Sequence, residues 1–221
     1  ISIALAHFSK LSLLHHFIYN LLAIEKRKEY RDNDCERSLE DMDYFKHIFK
    51  EYEIKLRDEK GFSLRGDIYD EFDRFYLWFL YQEDSFSRLW NKVTYEVFHL
   101  LFANRGFLLD FNKSLSTYLR DKPDLIPHKY RTNSGKVKRD KYFPVWVKKA
   151  IFYRDKAKCV FCFKDLSGLL STDSIIHFDH IVPLNSWGVN DPCNLQLLCE
   201  DCNLKKGGDK ALTSSRYIEW W

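Results

Sequence analysis

Four of the six cysteines fall into two pairs with two residues between partners, Cys159 and Cys162 in "CVFC" and Cys199 and Cys202 in "CEDC". Thiolates at that spacing can face one tetrahedral ion from a tight knuckle, and two knuckles close a four-sulfur site. With no position left for a substrate, such a Zn²⁺ is structural. Disulfides or unconnected core thiols are the alternatives; the absence of a secretory-signal layout argues against the first, and chance rarely yields two such pairs. The 36 residues between the pairs exceed the ~15–20 of compact zinc modules, so something folds between them. Cys35 reads as a core residue and Cys193 as a bystander. A second chemical oddity lies in that insertion. The apolar run "HFDHIVPLNS", residues 177–186, places two titratable side chains, Asp179 and His180, side by side.

The elements that must position these residues are legible from periodicity and turn chemistry. "SIIHFDHIVPL" and "LQLLC" read as two antiparallel strands, and "NSWGVNDPCN" as an irregular turn between them. "CNLKKGGDKALTSS" reads as a helix. Upstream, "PVWVKKAIFYRDK" reads as a short helix with Pro144 in its first turn. The first part of the chain is helical by spacing: Leu11, Leu14, Ile18 and Leu21; Phe45, Ile48, Phe49 and Tyr52; Ile68, Phe72, Phe75 and Phe79; Leu89, Val93, Val97 and Leu101. Breaks are expected near Arg31–Arg37, Gly61–Gly66, Gln82–Ser87 and Arg105–Gly106, and a further short helix before Pro123. An aromatic content of 17% suggests a core of Phe, Tyr and Trp.

The expected fold class is therefore mainly α, an aromatic-rich helical domain followed by a small α+β domain. The expected segments are a helical domain over 1–125, a basic linker or arm over 126–143, and the cysteine-bearing domain over 144–221. The helical domain would serve assembly, target choice or regulation, through a homo-oligomer or a partner protein. No membrane contact is expected: the most apolar stretch, Ile1 to Ile24, is interrupted by His7, Lys10, His15, His16 and Asn20. The chain reads as cytoplasmic.

The net charge of +3 conceals an asymmetry. Residues 1–125 hold 19 Lys+Arg against 22 Asp+Glu, whereas residues 126–221 hold 16 against 10. Lys136, Lys138, Arg139, Lys141, Lys148, Lys149 and Arg154 crowd the start of the second part, and Lys205 and Lys206 follow the second knuckle. Such a block is suited to a phosphate backbone, and equally to a solvated linker.

Together, "RD…CVFC…DHIVPL…NLQLLCEDCNLKKGG" resembles the HNH endonuclease family in its zinc-stabilised ββα-metal form, over roughly residues 145–210. The resemblance implies hydrolysis of phosphodiester bonds, most often in double-stranded DNA, leaving a 5′-phosphate and a 3′-hydroxyl. RNA cleavage and a non-catalytic zinc module binding nucleic acid or protein are the alternatives. It also implies settings such as restriction or phage defence. By position, His180 would be the general base, Asn194 the central asparagine orienting it, and Asn203 stands where many members have a second histidine. Asp179 and Asn203 would offer hard oxygens to Mg²⁺ or Mn²⁺. Consecutive strand residues project oppositely, so Asp179 and His180 could flank one phosphate. His177, two positions earlier, could share the face of Asp179.

Overall fold

The computed structural model describes residues 7–25, 27–28, 39–62, 71–168 and 175–217. Cys35 and Ile68 lie outside them. Among the described residues there are seven α-helices and one two-stranded sheet. The helices are α1 (Leu13–Asn20), α2 (Leu39–Glu51), α3 (Glu71–Tyr81), α4 (Glu83–Ala103), α5 (Arg105–Asp121), α6 (Val145–Arg154) and α7 (Glu200–Lys206). The strands are β1 (Ile176–His180) and β2 (Leu195–Cys199). A π-helical turn, Leu21–Glu25, follows α1. No helix among the described residues is long and apolar enough to cross a membrane.

Contacts divide the chain into two units: residues 17–98 form one, and the remaining described residues, 7–16 and 99–217, form the other. The first is built as its spacing suggests. Phe45, Phe49, Phe75, Trp78, Phe79, Phe86 and Trp90 bury into one core. Phe86 meets Phe49 edge-on at 4.9 Å and Phe45 at 5.1 Å, the geometry that ring quadrupoles favour. Each buried ring contributes roughly 1.5–3 kcal/mol. Helix α2 stops where Glu53 takes a left-handed conformation, which turns Ile54 back so that its N–H reaches the Phe49 carbonyl at 2.8 Å. The expected break over Gln82–Ser87 narrows to Gln82 alone, between α3 and α4. That side chain holds a loop instead, accepting from Arg57 N and donating to Arg57 O.

In the second unit, the helix expected to be short before Pro123 runs 17 residues, as α5. Its start is set by Asn104, whose side chain accepts from Phe107 N and caps the helix, so Gly106 sits inside rather than at a break. Asn112 on α5 donates to the Cys193 carbonyl at 3.0 Å, and Leu119 packs with Ile126, Val137 and Val189. The basic segment is thus folded against this unit rather than spanning open solvent. It makes a turn closed by an Arg131–Val137 bridge, with Gly135 at φ +83° against the Trp187 ring. Pro144 stands immediately before α6 as its N-cap residue.

The two strands pair antiparallel, with His177 opposite Leu198 and Asp179 opposite Gln196. Every residue of β2 is buried. Helix α7 is shorter than its sequence suggests and starts earlier. Cys199 stands at its N-cap position without a side-chain capping bond, and it ends at Gly207, whose positive φ lets its N–H close on the Asn203 carbonyl. From there the chain returns across the sheet end, where Leu212 N donates to Ile181 O.

Candidate metal centre and active site

The four paired cysteines converge. Their sulfurs all lie within 4.8 Å of one another, with Cys162 Sγ and Cys199 Sγ 3.6 Å apart. Zn–S bonds of ~2.3 Å around a tetrahedron require S–S separations of ~3.8 Å, so the cluster is close enough to hold one zinc ion. The local backbone explains the fit. Phe163 takes a positive φ and donates to the Cys159 carbonyl at 2.9 Å, closing the first knuckle, while the first turn of α7 carries the second. Burial pushes the Cys159 thiol up, but the N–H groups of Cys162, Cys199 and Phe161 outweigh it and hold that thiol down at about 7. Cys193 is outside the cluster: it is fully buried, and its sulfur lies against Ser12 Oγ at 3.5 Å.

Arg139, His177, Asp179, His180 and Asn203 line a cavity of about 320 Å³. A neighbouring cavity of about 300 Å³ is bordered by Arg139, Asp179 and His180 again, with Thr132 and Asn185. Strand alternation does not separate Asp179 from His180 as expected, because both border both cavities. The ladder ends at His180, and Ile181 N turns to the Asn194 carbonyl at 2.7 Å.

His180 is only 3% exposed. Burial, then the charge on Arg139, pulls its imidazole down to about 4 despite a hydrogen bond to Asn190, so the ring is neutral at neutral pH. Asp179 Oδ2 accepts from Gln196 Nε2 at 2.9 Å and pairs with Lys206 Nζ at 3.0 Å. Its Oδ1 takes no hydrogen bond among the described residues. Asn203 turns Nδ2 toward His177 Nδ1 at 3.4 Å, which leaves its Oδ1 likewise unengaged. Two hard oxygens on one cavity wall are a donor set compatible with Mg²⁺ or Mn²⁺. The other ring nitrogen of His177 is buried without a hydrogen-bond partner among the described residues.

Three expectations change. Asn194 does not hydrogen-bond His180. Its fully buried amide accepts from Val182 N and donates to the Val182 and Val189 carbonyls, clamping the turn between the strands. A Cβ on Gly188 within that turn would stand 1.9 Å from the Val182 carbonyl oxygen, so the turn admits only glycine there. Lys206 is not placed to meet a phosphate: it is buried, and its ammonium also donates to the His180 carbonyl at 2.8 Å. Arg154 is equally spent, with a 2% exposed side chain that grips Asp155 through two 2.9 Å bonds and donates to the Leu195 carbonyl. In both cases a cation close to carboxylates and carbonyls finds better partners inside than in water.

The remaining basic residues keep surface positions. Lys138, Arg139, Lys141, Lys148, Lys149 and Lys205 are exposed and Lys136 is half-buried. The sequence suggests no role at the site for Asn190, Gln196, Asp155 or Arg105. Of these, only the "RD" preceding the first knuckle carried a signal, for Asp155.

The HNH endonuclease family model matches residues 159–209, which take in both knuckles, both strands and α7. That segment is the HNH domain implied by the resemblance, and the N-terminal region has no such assignment. No curated protein and no solved structure matches the chain.

Proposed function

We propose that this protein is a divalent-metal-dependent endonuclease that hydrolyses phosphodiester bonds in double-stranded DNA. The observation that carries the reading is the single cavity shared by His180, Asp179, Asn203 and Arg139 beside a four-cysteine cluster. A bound Mg²⁺ or Mn²⁺ would supply Lewis-acid stabilisation of charge on the phosphate and the departing oxygen. Asp179 Oδ1 and Asn203 Oδ1 are the atoms that would hold it. Gln196 and Lys206 keep the Asp179 carboxylate turned to present that oxygen.

His180 takes the proton of a water whose oxygen attacks phosphorus. The P–O3′ bond breaks, and the departing 3′ oxygen collects a proton from solvent, leaving a 5′-phosphate. The guanidinium of exposed Arg139, which has no ion-pair partner among the described residues and borders both cavities, holds a non-bridging phosphate oxygen. Exposed Lys141, Lys148 and Lys149 carry the flanking backbone.

The unit over residues 17–98 would govern assembly, target choice or activation, through a second copy or a partner protein. We place the whole in restriction or phage defence, as a cytoplasmic effector, because an HNH domain coupled to a separate helical unit can have its cutting licensed by that unit. The test is nicking of supercoiled plasmid in Mg²⁺ or Mn²⁺, with labelled RNA in parallel. Wild type should cut and His180→Ala should not, with zinc content unchanged. Cutting of RNA alone would move the reading to a ribonuclease. Absence of cutting with any divalent metal would leave a zinc module that only binds.

A further inference from the structure

The His180 ring is held by a residue other than Asn194 or Asn203. Its Nε2 lies 3.3 Å from Asn190 Oδ1, and Asn190 Nδ2 donates to the Lys138 carbonyl at 2.8 Å. The second bond decides the first. A carbonyl accepts only, so the atom of Asn190 that faces Lys138 must be its NH₂, and the atom facing His180 must be its oxygen. An amide oxygen cannot donate, so the proton between it and the imidazole sits on Nε2. The lone pair then belongs to Nδ1, which has no hydrogen-bond partner among the described residues, on a ring that borders both cavities. Asn190 is itself fully buried, which gives these bonds no water to compete with.

We infer that Asn190 is the positioning residue of this site, locking His180 as the Nε2–H tautomer so that Nδ1 is the atom that takes the proton from water. The base role rests on the proposed nuclease reading; the tautomer lock does not. The relay has one foot outside the segment matched by the family model. Lys138 belongs to the basic segment, whose next residue, Arg139, reaches the same two cavities. Docking of that segment therefore delivers the phosphate-binding guanidinium and fixes the base in one act.

The experiment uses the full, zinc-loaded chain labelled with ¹⁵N-histidine. Long-range ¹⁵N–¹H correlation at alkaline pH reports which ring nitrogen carries the proton, and His180→Ala identifies the resonance. Wild type should show His180 protonated on Nε2. Asn190→Asp, which can only accept, should keep that tautomer, whereas Asn190→Ala should let the proton redistribute. Cleavage by Asn190→Ala should fall about 10–100-fold in kcat, the usual cost of losing a partner behind a working group, with KM nearly unchanged. A wild-type proton on Nδ1 would overturn the inference without any variant having to fold. Asn190→Ala with unaltered tautomer and rate would overturn it too. An Nε2–H tautomer in a protein that cuts neither DNA nor RNA would support the relay while removing the nuclease reading.

Discussion

Asp155 offers the sharpest test of how the HNH domain is braced. Its side chain is fully buried and receives Arg154 twice at 2.9 Å, Leu197 N at 2.9 Å, and Arg105 Nη1 at 3.5 Å. Arg154 and Arg105 are 2% and 6% exposed, so one carboxylate neutralises two buried cations while tying α6 to β2. Arg105 goes on to the Ser214 carbonyl and stacks on the Tyr217 ring at 4.3 Å, extending the brace to the returning tail. Asp155→Asn keeps the shape and removes the charge. Removing one partner of a buried ion pair costs about 3–5 kcal/mol, because the stranded charge has no water to return to. At the lower figure, the opened state of the β1–β2 hairpin becomes ~150-fold more populated. Hydrogen exchange across residues 176–199 measures this directly, and release of zinc to a chromogenic chelator should accelerate in parallel. Unchanged protection at Leu197, or a loss below about 1 kcal/mol, would refute the electrostatic reasoning and reduce Asp155 to a hydrogen-bond acceptor.

Other outcomes follow from the same geometry. Chelation of zinc, or Cys162→Ser, should abolish cutting and remove exchange protection from β1, β2 and α7, because the cluster ties the two ends of that module. Lys206→Met should lower cleavage at least ~10-fold while leaving the salt dependence of DNA binding unchanged. By contrast, each of Lys148→Ala and Lys149→Ala should reduce the salt slope by about 1 with little effect on the chemical step. His15 lies almost wholly buried, with its Nδ1 accepting from Ser12 N, and burial, then the nearby His16 and His99, hold its pKa at about 4 against an ordinary 6.5. The unfolded chain therefore binds a proton below 6.5 that the folded chain refuses until about 4. The His15 contribution to stability should be level above pH 6.5, fall by on the order of 1–3 kcal/mol on acidification to pH 4, and level again below. Urea titrations of His15→Asn should lack that share of the acid slope.

The sequence was informative wherever the signal was local. Two knuckles, two short strands, the proline before α6 and the apolar spacing of α2 to α4 each follow from residues within a few positions of one another. What could not be read depends on partners distant in the chain. Asn190 is fixed by a main-chain carbonyl 52 residues earlier, and Arg105 by carbonyls more than a hundred residues later. No periodicity marks such a pairing, because the tertiary packing chooses it. Arg154 and Lys206 show the converse error. Both sit in runs of like charge that look solvated, yet each is drawn inside by a carboxylate, Asp155 or Asp179. Asn194 occupies the expected position, but the turn it clamps and the histidine beside it are served by different asparagines.

The most direct test of the account is anomalous scattering from crystals of the zinc-loaded protein soaked in Mn²⁺ with a phosphate-bearing oligonucleotide. The account predicts zinc among the four cysteine sulfurs and manganese bound to Asp179 Oδ1 and Asn203 Oδ1, with a phosphate oxygen on the metal and His180 on the far side of phosphorus. Manganese bound elsewhere, or a phosphate lodged away from His180, would contradict it.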